Sequence, residues 1–169
     1  MKVDTVYPVS IGGVGMSLGQ FFSQRFGYAT HALGYMAKKP FGELTTLSEL
    51  AGWMKGVWDA ASETYLSNVI QRLARGGVLR SHRGIAGGYS LAKPADRITL
   101  RDLAEILEGV SVEKCSLSLG PSCPKKGRCG IQRTLRKLEE QFLESLEKIS
   151  IADISSGMTI DLPASATRG

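Results

Sequence analysis

The chain has 169 residues, 43% of them hydrophobic, so it can bury one ordinary core with an appended helix. Its 21 Lys and Arg residues against 16 Asp and Glu residues give a net charge of +5. That excess suits a polyanionic partner but is also common in proteins without one, and no apolar run approaches the roughly 20 residues of a membrane span.

The first 17 residues contain small apolar residues and three closely spaced glycines. Asp4 and Pro8 interrupt this segment, and it has no sustained apolar core, which disfavours a secretion signal. We therefore expect residues 1–17 to be a disordered extension, with Met16 as an alternative start of translation.

The next segment, from Gln20 to Lys38, has apolar residues at helical spacing along one stripe, and a Lys-Pro-Phe-Gly sequence ends it. A capping box follows, with Thr46 as the N-cap and Glu49 at the third helical position. It predicts a short helix through about Met54, and then a polar turn over residues 55–61.

Ser62 is the next predicted N-cap, opening a helix over Glu63–Arg75 that Gly76 and Gly77 end. Its predicted inner face consists of Tyr65, Leu66, Val69, Ile70 and Leu73. Its predicted outer face consists of Thr64, Ser67, Asn68, Gln71, Arg72 and Arg75. Short polar side chains beside arginines are typical of a helix that enters a DNA major groove, although an ordinary solvated face has the same composition.

Two alternating segments, residues 78–82 and 88–92, predict a β-hairpin. The five residues between them include Arg83, Gly84 and Gly87, so the tip is basic and glycine-rich, and free to reach a phosphate or a minor groove. Helix, turn, helix and hairpin is the winged-helix order. The predicted fold class is therefore mainly α with a small β-hairpin wing.

Thr99 is predicted to cap a helix over Leu100–Glu108, with Asp102 at its third position and Gly109 after it. A long helix is expected from Ile131 to about Ile149. Its apolar positions are Ile131, Leu135, Leu138, Phe142, Leu146 and Ile149. So narrow a stripe is typical of a coiled-coil seam and favours a dimer interface over burial in one small domain.

Cys115, Cys123 and Cys129 follow the pattern C-x7-C-x5-C in a loop of residues 111–130. Their odd number and close spacing disfavour a disulfide framework and favour a reducing, cytoplasmic environment with a metal or redox role. Neighbouring cations favour the thiolate form that ligates metal: Lys114, Lys125, Lys126 and Arg128. An iron–sulfur cluster, a zinc knuckle and a regulatory disulfide all stay open on this chemistry, whereas a catalytic cysteine lacks a local histidine.

These motifs identify a family resemblance from about Gln20 to Ile154. The GYATHAL of the first helix, the block from TYLSNVIQRLARGG to ITLRDLAEILEG with its RG-x-x-GGY-x-L wing, and the three cysteines are its basis. The chain resembles the Rrf family of winged-helix transcription regulators, which contains the regulators IscR, NsrR and RirA. The cysteine spacing is most similar to that of the RirA-like iron regulators.

The resemblance implies a homodimer with crossing C-terminal helices that binds double-stranded operator DNA. It implies that the cysteine loop holds a [4Fe-4S] or [2Fe-2S] cluster, which biases the DNA-binding elements between two poses. The DNA-contacting residues expected on the second helix of the motif and on the wing are Thr64, Tyr65, Ser67, Asn68, Gln71, Arg72, Arg80, His82, Arg83 and Gly84.

The sequence departs from the family pattern at the possible fourth cluster ligand. One branch has a histidine where this chain has Gln132, and the acidic ligand of other relatives aligns with Gly27. The resemblance instead points to His31, one turn further along the first helix, as a ligand supplied by the other subunit. A small thiol or water is the alternative. The turn from Trp53 to Ala61 is also longer than in relatives, and we expect its tryptophans to pack that turn.

The expected organisation is an N-terminal extension (1–17), a DNA-binding domain (18–110), the cysteine loop (111–130), a dimerisation helix (131–154) and a flexible tail (155–169). The predicted function is cluster-dependent transcription regulation, and not an enzyme activity. A regulator with zinc or a disulfide at its cysteines is one alternative, and an iron–sulfur electron carrier or enzyme is another.

Overall fold

In a computed structural model, residues 22–57, 62–84, 87–109, 129–158 and 160 are described. They form helices and one antiparallel hairpin: α1 (Gln24–Met36), α2 (Leu47–Val57), α3 (Glu63–Arg75), β1 (Leu79–His82), β2 (Gly88–Leu91), a 3₁₀ turn (Ala95–Arg97), α4 (Leu100–Glu108), α5 (Gly130–Glu147) and α6 (Ile151–Ser156). The mainly helical class with a hairpin wing is confirmed. No described helix combines the length and the apolar character that crossing a membrane requires.

Helix α1 lies at the centre of the domain and packs against α3, α4 and α6. It begins after Ser23, later than the predicted start at Gln20, and Ala37 caps its C-terminal end. Its buried positions run round most of the helix instead of along one stripe: Phe26, Tyr28, Ala29, Ala32, Leu33, Gly34, Tyr35 and Met36. Because α1 contacts all three of these helices, a shift of α1 would change its packing against each of them.

Helices α2 and α3 form the predicted helix-turn-helix pair. Glu49 N donates to Thr46 Oγ1 at 3.1 Å at the start of α2, which then runs past the expected end at Met54. The Ser62 side chain caps α3 by accepting from Tyr65 N at 3.3 Å. The turn between the helices includes residues 58–61, which lie outside the described part of the chain. Trp58, which was expected to pack this turn, is among them.

The hairpin pairs Leu79 with Leu91 at its base and His82 with Gly88 at its outer end. A further rung joins it to the connection between α1 and α2, where Thr45 N donates to Tyr89 O at 2.8 Å and Tyr89 N donates to Thr45 O at 2.9 Å. The wing is therefore held by three backbone segments near its outer end.

The capping box of α4 forms as predicted, with Asp102 N donating to Thr99 Oγ1 at 3.2 Å and Thr99 N donating to Asp102 Oδ2 at 3.1 Å. The long helix expected from Ile131 to about Ile149 corresponds to α5, but the segment assigned to dimerisation, 131–154, also contains most of a second helix. The chain leaves α5 after Glu147, and a second capping box at Ser150 opens α6.

Backbone pairing causes this break. Leu100 N donates to Ile149 O at 2.9 Å, and Ile151 N donates to Ile98 O at 2.8 Å, so the chain is extended where it passes the start of α4. Helix α6 then packs on α1, where Ser155 Oγ donates to Gly34 O at 3.0 Å. Ser155, expected to begin a flexible tail, is buried in this helix.

Candidate DNA-binding surface and cysteine site

The outer face of α3 presents polar side chains. Thr64, Asn68 and Gln71 are exposed, while Ser67 is half-buried and accepts a hydrogen bond from Gln71 Nε2 at 3.3 Å. On the opposite side of the helix, the buried residues Leu66, Val69, Ile70 and Leu73 join the core. The face available to a DNA groove is therefore the one expected from the periodicity.

Tyr65 differs from the other expected contacts because its ring is half-buried. It packs edge-on against Tyr28 of α1, with ring centroids 5.0 Å apart. The Tyr28 hydroxyl also accepts a hydrogen bond from Ser62 N at 3.0 Å. These contacts position the first turn of α3 against α1, which supports a structural role for the Tyr65 ring beside the exposed polar side chains.

The wing carries its cations on exposed positions. Arg80, His82 and Arg83 are exposed, and His82 Nε2 lies 2.9 Å from Ser90 Oγ on the paired strand. Gly84 has a φ of +115°, a backbone conformation that other residues rarely adopt, and its carbonyl accepts from Gly87 N at 2.9 Å. Residues 85 and 86 lie outside the described part of the chain.

One basic residue near α3 comes from another helix. Arg25, in the first turn of α1, lines a cleft of about 280 Å³ together with residues of α3. The rest of the lining is Tyr65, Asn68, Val69, Arg72 and Arg75. The sequence pattern gave no reason to associate Arg25 with α3, because only the crossing of the two helices brings them together.

Of the three predicted cysteine ligands, only Cys129 lies among the described residues; Cys115 and Cys123 are outside them. Cys129 is half-buried at the N-cap of α5, and its Sγ accepts from Gln132 N at 3.5 Å. The backbone N–H groups at a helix N-terminus attract negative charge, such as that of a metal-bound thiolate. Within the described ranges, no group of three or more potential ligand side chains surrounds a metal position.

His31 lies half-buried on α1, with its Nδ1 at 2.8 Å from Gly27 O. If Nδ1 donates this bond, Nε2 carries the lone pair with which imidazole binds metals, and a carbonyl partner of this kind is common for ligating histidines. Gly27 itself has open space where a Cβ would stand, so the position tolerates a side chain although this sequence has none.

The apolar stripe of α5 divides into two parts. Leu146 is buried against the core together with Leu143, which the pattern did not single out. Ile131 and Leu138 are 64% and 57% exposed. Phe142 is 37% exposed and lies beside Phe22, with ring centroids 5.9 Å apart. Large apolar side chains left exposed along one helix edge are typical of a surface that meets a partner.

A buried ion pair holds the start of α2 against the end of α1. Lys39, whose side chain is 4% exposed, places its Nζ 2.6 Å from Glu49 Oε1 and 3.4 Å from Glu43 Oε1, and the Tyr35 hydroxyl donates to Glu49 Oε1 at 2.6 Å. Burial raises the pKa of the Glu49 carboxyl, but hydrogen bonds from Lys39 and Tyr35 outweigh it and hold the pKa below its ordinary value. Burial and the Glu49 carboxylate raise the pKa of Tyr35 well above its ordinary value.

Comparison with known proteins gives a match over most of the chain. The model of a family described as Rrf2, iron-dependent transcriptional regulator, matches residues 22–157. The structure of CymR, the global cysteine regulator of B. subtilis, is 25% identical with a TM-score of 0.58, covering 82% of this chain and 98% of that one.

Two further solved structures share the fold. IscR of T. potens is 24% identical with a TM-score of 0.56, covering 85% of this chain and 88% of that one. CymR of Staphylococcus aureus is 21% identical with a TM-score of 0.56, covering 83% of this chain and all of the other, 100%. At these identities the two likenesses show the fold alone.

Proposed function

The chain belongs to the Rrf2 family of transcription regulators, and on this basis we propose that it is a dimeric regulator whose binding to operator DNA depends on an iron–sulfur cluster. DNA-binding regulation, and not an enzyme activity, follows from the family. The cluster, the dimer and the residue roles below are the proposal. Its place of action would be the cytoplasm, where the operator is.

The proposed DNA surface combines the outer face of α3 with the exposed cations of the wing. Thr64, Asn68 and Gln71 are available to base edges, and Ser67 and Arg72 flank them. Arg80, His82, Arg83 and Gly84 would contact the backbone or an adjacent minor groove. The single observation that carries the proposal is this pairing of a polar helix face with a basic wing in a chain of this family.

The environment of Cys129 fits an iron-bound thiolate, because its sulfur caps a helix whose N–H groups favour negative charge. We propose that Cys115 and Cys123 complete the set of three thiolates and that His31 of the partner subunit supplies the fourth ligand. A cluster bound there would supply a centre sensitive to iron supply, oxidants or nitric oxide. The role of the protein is to hold the thiolates together and to position α1 and α5 around them.

The exposed edge of α5 supports the proposed dimer. Ile131, Leu138 and Phe142 present apolar surface along one edge of the helix, whereas Leu143 and Leu146 are buried in the core. Burying such an edge against a second copy removes it from water and brings two α3 helices into one assembly. Two subunits would then read two halves of a symmetric operator.

Two contacts join the segment before α1 to the helices on either side of the cysteine loop in the chain. Ser23 Oγ donates to the carboxylate of Glu108, which comes just before the loop, and Phe22 lies beside Phe142 of α5. The segment that carries Ser23 leads directly into α1, and α1 packs on α3. We propose that a change in the loop moves this segment between two positions and so changes the pose of α3.

The test is an operator selection carried out in parallel on anaerobically purified and apo protein. We expect visible charge-transfer absorption in the first sample, and sequence-specific, salt-sensitive duplex binding whose affinity differs between the two. A protein that binds no duplex in either form would overturn regulation by DNA binding. Equal affinity in both forms would overturn only the dependence on the cluster.

The likeness to a cysteine regulator favours one second candidate, a regulator of the same family without a cluster. In that case the three cysteines would bind zinc or form a regulatory disulfide. The same preparation decides between the candidates, since a colourless protein with one zinc per chain, or with a reducible disulfide, would replace the cluster. An iron–sulfur electron carrier would bind the cluster but show no specific duplex binding.

A further inference from the structure

The cleft between α1 and α3 is basic, and part of its charge comes from outside the helix-turn-helix. It has a volume of about 280 Å³, and three of its six lining residues are the arginines Arg25, Arg72 and Arg75. Arg25 comes from α1, which the helix-turn-helix pattern does not include. Three guanidinium groups around one concavity repel each other unless an anion lies among them.

No carboxylate of the described residues supplies that anion. Within the described ranges, no Asp or Glu oxygen lies within 4.0 Å of these three guanidinium groups, and the first turn of α1 contains no acidic residue. The contrast is with Arg101, which is 2.9 Å from Glu105 and 2.8 Å from Glu147. The arginines of the cleft are therefore available to a ligand from outside.

The chemistry of the lining selects phosphate. Guanidinium groups bind phosphate oxygens through two parallel hydrogen bonds, and Asn68 and Tyr65 add an amide and a hydroxyl at the same wall. The remaining lining residue is Val69, so the charged groups of the cleft are all cationic. The cleft thus matches a small, strongly charged group.

The position of the cleft indicates that the phosphate comes from the DNA backbone. Asn68 and Arg72 belong both to the cleft and to the expected DNA-contacting face of α3, so a helix lying in a major groove would bring this wall beside the DNA backbone. We propose that the cleft binds a backbone phosphate of the DNA duplex and that Arg25 is the contact contributed by α1. This inference rests on the proposed DNA binding and adds a contact outside the motif.

The proposal has a consequence for control of binding. Arg25 lies two residues after Ser23, which is hydrogen-bonded to Glu108 at the entrance of the cysteine loop. A displacement of this segment would move a phosphate contact directly, in addition to any effect on α3. The first turn of α1 would then be both a contact to DNA and the part of the domain nearest the loop.

The test measures duplex affinity against salt concentration for the wild type, Arg25→Gln, Arg25→Lys and a control, Arg101→Gln. The control removes the same charge from a site with its own carboxylate partners. The probe is a labelled duplex of random sequence, followed by a selected operator. For Arg25→Gln we expect affinity about tenfold lower on both duplexes and a log–log salt slope reduced by about 1.

Arg25→Lys should keep most of the slope, and Arg101→Gln should match the wild type. Equal slopes for the wild type and Arg25→Gln, with unchanged unfolding curves, would overturn the phosphate contact while DNA binding stands. A wild type that binds no duplex would overturn both. Calorimetry with inorganic phosphate distinguishes a free anion from a DNA phosphate as the ligand. If Arg25→Gln abolishes the binding of inorganic phosphate but leaves duplex affinity unchanged, the cleft binds a free anion. That result would overturn the DNA contact.

Discussion

The hydroxyl of Ser23 donates a hydrogen bond to the carboxylate of Glu108, which is 85 residues away along the chain. Ser23 is the residue from which α1 begins, and Glu108 is the last residue of α4 before the cysteine loop. One bond therefore joins the entrance of the proposed sensing loop to the helix at the centre of the domain.

Replacing Ser23 by Ala should weaken communication between the loop and α3. We expect the free energy of unfolding to fall by about 1 kcal/mol, because the Glu108 carboxylate loses a donor. The ratio of DNA affinities between cluster-loaded and apo protein should move towards one, measured by fluorescence anisotropy. Ser156→Ala makes the same substitution on α6, where the serine hydroxyl donates only to the nearby Asp153 O, and serves as the control. An unchanged ratio in Ser23→Ala would rule out this path.

Cys129 offers a substitution that separates ligation from folding. Serine is a favourable N-cap, so Cys129→Ser should keep the bond from Gln132 N and leave the unfolding free energy of the apo protein within about 0.5 kcal/mol. Its visible absorption after anaerobic reconstitution should be lost. Cys129→Ala, which also lacks the cap, should lose the absorption and about 0.5 kcal/mol of stability. Full absorption in Cys129→Ser would contradict the assignment of this ligand.

Ligation by His31 across the dimer can be tested by mixing subunits. His31→Ala alone should change the absorption and redox response of the reconstituted protein, and Cys129→Ser alone should abolish the absorption. In a mixed dimer of the two variants, one site regains both groups, so about half of the wild-type signal should return. Thr30→Ala, on the adjacent position of α1, is the control. No recovery on mixing would show that the two groups do not meet across the interface.

The exposed edge of α5 should be required for dimerisation. Leu138 is 57% exposed, so Leu138→Glu should fold but place a charge in the proposed interface. We expect a monomer by sedimentation, and affinity for a two-half operator lower by about 100-fold, because one subunit no longer recruits the other. Lys137→Glu changes a neighbouring exposed position that points elsewhere on the helix and should stay dimeric. A dimeric Leu138→Glu protein would place the interface on another surface.

The buried pair of Lys39 and Glu49 should make stability depend on pH. The folded state holds the pKa of Glu49 below its ordinary value, so the pair contributes stability above about pH 4.3. That contribution is lost as pH falls through the lowered pKa. Glu49→Gln should destabilise the protein at neutral pH by about 1.5 kcal/mol, because Lys39 loses its nearer carboxylate and keeps only Glu43 as an ionised partner.

Urea unfolding of wild type and Glu49→Gln across acidic pH measures this dependence. The difference between the two proteins should shrink at low pH, since the wild-type carboxylate is then protonated as well. Glu43→Gln is the matched control, because Glu43 is the more distant carboxylate and should cost less. A difference that stays constant with pH would show that the charge of Glu49 does not stabilise the fold.

The sequence predicted the elements whose limits are set by local chemistry. The range of α3 and the caps at Ser62 and Thr99 agree with the structure, because side chains a few residues apart determine them. The break after α5 was not predicted, since it follows from backbone pairing of Ile149 with Leu100, far apart in sequence.

The candidate site was predictable to a different degree for each part. The polar face of α3 follows from a period of 3.6 residues. The contribution of Arg25 depends on how α1 crosses α3, which no local pattern encodes. The division of the α5 stripe between a buried Leu146 and an exposed Leu138 likewise depends on tertiary packing, because Leu146 joins the core that the other helices form.

The backbone pairing of Thr45 with Tyr89 fixes the position of the wing relative to the connection between α1 and α2. A Cβ at Gly88 would stand 2.8 Å from Thr45 O, so the two segments approach as closely as glycine allows, and the wing is held against the connection between α1 and α2. A wing held in one position would select DNA by its shape as well as by its sequence. Operators with the correct bases but a different groove width would be bound less well, because the duplex and not the protein would have to deform.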